Sequence, residues 1–122
     1  MNEQELIEEI RSIFRELIEE EDERFDLPPM RVIYPRNYVY VSKAEQLYKK
    51  ALELEQLNEK YSTYHLKDVM EEEVDQVNRH RYSYKGNVPE KRSVDDIQCR
   101  MHKATKHIQM YFFDVLGDIK IE

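Results

Sequence analysis

Tryptophan is absent from the 122 residues, cysteine occurs once, glycine twice and proline four times. The single thiol, Cys99, has no internal partner for a disulfide, so a reducing compartment and a cytoplasmic location are expected. Two glycines, Gly86 and Gly117, exclude a glycine-rich loop around a phosphate. No Walker A loop, Rossmann fingerprint or G-x-S-x-G elbow is present. No apolar run approaches the roughly 18 residues of a membrane span. The opening MNEQELIEEI is acidic where a secretory leader is basic and then apolar. A soluble chain with no membrane partner is expected.

What the chain has in quantity is charge, 37% of its residues, with a net value of -7. The charge is lopsided. Residues 1–26 carry -8, residues 27–78 carry -2 and residues 79–122 carry +3. An anionic protein is repelled at long range by a polynucleotide backbone, so long nucleic acid is not an expected partner.

The periodicity predicts an α+β fold, mostly α, in one domain over residues 1–122. Leu6, Ile10, Ile13 and Leu17 form the apolar stripe of a helix over 3–22, with Ile7, Phe14 and Ile18 beside it. Acids from Glu19 to Glu23 oppose the helix dipole and should fray its last turn, and Pro28-Pro29 ends any helix. Val32, Ile33 and Tyr34, then Tyr38 to Val41, read as a β-hairpin over 30–42 turning at Pro35. Tyr38 and Tyr40 would share one strand face. Ser42 and Glu45 have capping-box spacing ahead of a helix over 43–60.

A further helix is expected over 63–82, then a loop over 83–92, then a helix over 93–116 capped by Ser93. That last helix carries Val94, Ile97, Met101, Ala104, Ile108, Tyr111 and Val115, a heptad stripe stopped by Gly117. The stripe and the hairpin both exceed what a small monomer needs to hide, so a homo-oligomer, a dimer first, is expected.

One segment concentrates ligand chemistry. Residues 79–92 carry +4 within this anionic chain. Arg79, Arg81 and Arg92 offer forks for phosphate, Tyr82 and Tyr84 offer stacking faces, and Lys85 and Asn87 lie in the loop. Arg100 and Lys103 extend the positive field along the last helix. The expected function is non-enzymatic binding that sequesters a small phosphorylated or nucleotide-like ligand, with no cofactor. Small acidic chains of this kind occur among phage and mobile-element accessory proteins. The alternative is an acidic interaction module, an inhibitor or adaptor, presenting its first helix or apolar seam to a basic protein partner.

A second alternative rests on acids. Glu71, Glu72 and Asp75 lie at E-E-x-x-D spacing, with Asp114 and Asp118 on the last segment. This resembles the all-α NTP pyrophosphatases of the MazG type, and the resemblance implies Mg²⁺ held by Glu71, Glu72 and Asp75. The sequence departs from that pattern at Val115, where the family carries glutamate ahead of Leu-Gly-Asp. The four histidines, at 65, 80, 102 and 107, show no zinc spacing.

Overall fold

The structure is a computed structural model and describes residues 2–22, 36–86 and 88–116. The fold is mostly helical, ends in a long C-terminal helix and contains one short strand pair. Helix α1 spans Glu3–Asp22 and α2 spans Asn37–Leu57. A third rod comprises α3 (Tyr64–Val69), a π-helical turn (Met70–Val74) and α4 (Asp75–Arg79). Strands β1 (Tyr84–Lys85) and β2 (Val88–Pro89) lead into α5 (Lys91–Leu116).

Helix α1 forms for the reason its spacing predicts, with Leu6, Ile10, Phe14 and Leu17 all buried, and it packs along α2. Asn2 starts it, accepting the amide of Glu5 at 2.8 Å and donating to that residue's carboxylate at 2.9 Å. The helix runs through its acidic end to Asp22, the bound its spacing predicts. Glu20 and Glu21 are buried there and accept hydrogen bonds from residues distant in the chain. Glu20 accepts two bonds from the Arg36 guanidinium, at 3.1 and 3.0 Å, and a third from the Arg36 amide at 2.9 Å. Glu21 accepts from His102 Nδ1 at 2.7 Å.

The hairpin expected over 30–42 is corrected. Residues 30–35 lie outside the described residues, and from Asn37 onward the chain is the first turn of α2. Tyr38 and Tyr40 therefore fall on opposite sides of a helix, at 68% and 0% exposure, instead of sharing a strand face. Tertiary packing overrides the local β preference: Tyr40, Ala44, Leu47, Ala51 and Leu54 recur at steps of 4, 3, 4 and 3 and are all buried. Ser42 consequently lies inside the helix and does not cap it, and α2 ends at Leu57 instead of 60. The Asn37 side chain donates to the carbonyls of Val77 and His80, at 3.1 and 2.8 Å, so the start of α2 closes the end of α4.

The helix expected over 63–82 ends at Arg79 and holds a π turn. Leu66 and Val74 are eight residues apart and would point roughly 80° apart on a regular α-helix. The wider turn brings both into the core and moves Glu73 to its edge. The segment expected as a loop over 83–92 contains the strand pair, with Tyr84 opposite Pro89 and Lys85 opposite Val88. Gly86 turns it at φ +68°, a conformation that glycine adopts without strain.

Helix α5 starts at Lys91, two residues before the expected 93. The Glu90 carbonyl accepts from the Ser93 and Val94 amides, at 3.0 and 3.2 Å. The Ser93 hydroxyl lies 2.8 Å from that same carbonyl and does not serve as the helix cap. Val94, Ile97, Met101, Ala104, Ile108 and Tyr111 are all buried, and those from Ile97 onward join one cluster with α1 and α2. The heptad seam is thus covered by the chain's own helices. The side chain of Val115, and all of Gly117 with the C-terminal residues after it, lie outside the described residues.

Candidate functional site

The residues expected to bind an anion are placed where α4, the strand pair and α5 meet, and most are already engaged. Arg79 pairs with Asp75 at 2.7 Å, one helical turn back. Arg81 turns its guanidinium onto the carbonyls that end α4, bonding Asn78 O and, at 3.0 Å, His80 O. Arg100 reaches Gln76 Oε1 at 2.6 Å and Asp96 Oδ2 at 3.3 Å, tying α4 to α5. Lys103 lies 3.8 Å from Glu73. Arg92 is exposed and makes no ion pair or hydrogen bond among the described residues.

The tyrosines separate. Tyr82 is half-buried against the core, whereas Tyr84 and Lys85 stand exposed on β1. Asn87 lies outside the described residues.

Arg81 and Arg92 nevertheless face one groove of about 640 Å³. One wall is His80, Arg81 and Ser83, and the other is the outer face of α5 at Arg92, Asp95, Asp96 and Cys99. One serine hydroxyl and one main-chain bond join the walls: the Ser83 amide donates to Ser93 Oγ at 3.1 Å, and the Glu90 amide donates to the Ser83 carbonyl at 2.7 Å. His80 is oriented by its Nδ1, 2.6 Å from the Gln76 carbonyl, which leaves Nε2 3.5 Å from Asp96. A carbonyl only accepts, so Nδ1 carries the proton. Asp96 is thereby flanked by His80 and Arg100, while Asp95 and Glu90 stay open to solvent. The groove presents two guanidinium groups and two carboxylates, Asp95 and Glu90, that are unengaged among the described residues.

The acids expected to hold Mg²⁺ are not gathered. Glu71 lies 3.9 Å from Lys67, Asp75 is held by Arg79, and Glu72 is exposed. Among the described residues no three histidine, cysteine or acidic side chains stand together as a metal would require.

Two carboxylate–histidine pairs flank α5. His107 Nδ1 donates to Glu73 at 2.6 Å, and His102 Nδ1 donates to Glu21 at 2.7 Å. Both span long sequence separations, so no short motif announces them. Between them Tyr40 donates to the Met101 carbonyl at 2.9 Å and contacts Thr105 Oγ1 at 2.7 Å. Burial pushes the Tyr40 phenol well above its ordinary value, a rise that the Thr105 bond partly offsets and Glu21 and Glu73 reinforce.

The fold and groove define a mostly helical protein with an open, mixed-charge cleft beside its longest helix. Comparison with family models, curated proteins and solved structures finds no match to this chain. Among the described residues no helix is long and apolar enough to cross a membrane.

Proposed function

We propose that this chain is a non-catalytic binding protein that takes a small phosphorylated ligand in the groove between residues 80–83 and the first turns of α5. The observation that carries the reading is Arg92: a guanidinium with no partner among the described residues, lining with Arg81 a groove built from two separate chain segments. A phosphate between the two forks satisfies both. Asp95 and Glu90 accept from the hydroxyl or amino groups of the same ligand, which favours a nucleotide over bare phosphate. Neither Tyr82 nor Tyr84 lines the groove, so the His80 ring is the flat face it offers a base.

The acidic-module alternative ranks second because α1 already spends much of its charge internally. Glu8, Glu9 and Glu16 hold Arg11, Lys50 and Lys43 at 2.7, 2.8 and 2.8 Å.

A thermal-shift screen against inorganic phosphate, nucleoside mono- and triphosphates and cyclic nucleotides tests the reading. A ligand at a hundred times its Kd raises stability by about 2.7 kcal/mol. Arg92→Ala should weaken binding by about 1.5–3 kcal/mol, the scale of a charge-assisted bond, and leave the unliganded Tm in place. Arg81→Ala should lower both affinity and unliganded stability, because that side chain also closes α4. Absence of any shift across the panel at millimolar concentration would overturn the small-ligand reading in favour of a protein partner.

A further inference from the structure

With the α5 seam buried inside the chain and residues 37–42 helical, neither reason for expecting a second copy survives. The opposite face of α5 supplies a different one. Cys99, Lys103, Lys106, Met110 and Phe113 recur at steps of 4, 3, 4 and 3, a heptad stripe directed away from the core. Its distal half exposes Met110 and Phe113 at 54% and 56%, two large apolar side chains one turn apart where a solvated helix would carry charge.

Charge along this stripe is ordered. Lys103 and Lys106 make the proximal half basic, whereas Asp114 is exposed near the C-terminal end. The last turn of α5 has no basic residue, so Asp114 and the negative end of the helix dipole add together. Lys106 and Asp114 each lack an ion-pair partner among the described residues. Basic at one end and apolar and acidic at the other, the stripe complements itself when reversed.

We propose that two copies of the chain associate through this face, α5 against α5 and antiparallel, about a two-fold axis passing between Gln109 and Met110. In that register Phe113 faces the partner's Lys106, and Met110 packs beside the axis against the partner's Met110. The lysine stem covers the aromatic ring while its ammonium reaches Asp114 and the last carbonyls of the helix. The reciprocal contact repeats across the axis, as an isologous interface requires. A parallel pairing would set lysine against lysine and Asp114 against Asp114, and charge therefore decides the orientation. The contacts of this pairing, from Lys106 to Asp114, lie beyond the ligand groove, which the stripe meets at Cys99, and the pairing does not depend on a ligand there.

Sedimentation equilibrium on the full chain, from micromolar to millimolar concentration, tests the proposal. The expected species is a dimer of twice 14.9 kDa. Met110→Lys and, separately, Phe113→Ser should return it to monomer with an unchanged far-ultraviolet spectrum, since both side chains are exposed. Lys106→Glu should weaken association, and Lys106→Glu combined with Asp114→Lys should restore it. In a Cys99→Ser background, Met110→Cys should give a disulfide-linked dimer on oxidation. A monomeric wild type across the range, a dimer that survives Met110→Lys, or a double charge swap no tighter than the single one would each overturn it.

Discussion

The phenol of Tyr40 and the backbone carbonyl of Met101 meet 2.9 Å apart in the core, although 61 residues separate them in the chain. The bond hooks the first turns of α2 to the middle of α5, and the 2.7 Å contact with Thr105 completes it. A ring whose sequence neighbourhood reads as strand thus becomes the polar centre of a helical core.

Tyr40→Phe keeps the ring and removes the hydroxyl, leaving the Thr105 hydroxyl and one lone pair of the Met101 carbonyl unmatched. The expected loss is about 1–2 kcal/mol in urea unfolding, with the helical spectrum unchanged.

Alkaline pH should destabilise the fold through the same group. Burial raises the Tyr40 phenol, and it pushes Tyr111 up to about 12, against an ordinary value of 10.0. Both are neutral when protonated, so above the unfolded value the folded chain holds protons that the unfolded chain has released. Stability is therefore full below about pH 10 and falls as pH rises through the folded values. Tm measured across this window should fall less steeply for Tyr40→Phe than for the wild type.

Glu20 is buried while its partner Arg36 is half in solvent, at side-chain exposures of 6% and 51%. Glu20→Gln preserves the volume and removes the charge that gathers three donors. It should cost about 1.5–3 kcal/mol, the scale of hydrogen bonds to a charged group. Denaturant titration with an unchanged m-value would identify this as a loss of stability without a change in the surface exposed on unfolding.

The two stripes of α5 should respond differently to truncation. Ile108→Ala opens a cavity at a fully buried position and should cost about 2–5 kcal/mol. Met110→Ser, two residues away and exposed, should stay within about 0.5 kcal/mol when measured on the monomer.

Millimolar Mg²⁺ should leave Tm unchanged, because Asp75 is held by Arg79, Glu73 is held by His107, and among the described residues no three metal-ligating side chains stand together. A rise abolished by Glu72→Gln would restore the metal reading and the pyrophosphatase alternative with it.

Much of the candidate site was legible as composition and little of it as geometry. Five bases between residues 79 and 92 stand out in an anionic chain. Arg79 and Arg81 are committed locally, to Asp75 one turn back and to the carbonyls that end α4, whereas the bond from Arg100 to Gln76 exists only because α4 packs against α5. The π turn left a trace in the sequence, since Leu66, Met70 and Val74 step by 4 and 4 where a regular helix alternates 3 and 4. The pairs Glu21–His102 and Glu73–His107 left none.

Amphipathic spacing by itself determined α1, the rod through Leu66 and Val77, and α5, because burying one face of a helix demands apolar residues every three or four positions. It also determined a mostly helical fold around one stripe of each helix. Tertiary structure alone decided the state of residues 37–42: β-branched and aromatic side chains favour a strand locally, but only a helix aims Tyr40 at Met101 and continues the stripe through Ala44 and Leu47. It alone decided, too, that the regular seam of α5 faces its own chain. A periodic apolar stripe specifies that something must cover it; whether another helix of the same molecule reaches it first depends on how the connected helices pack.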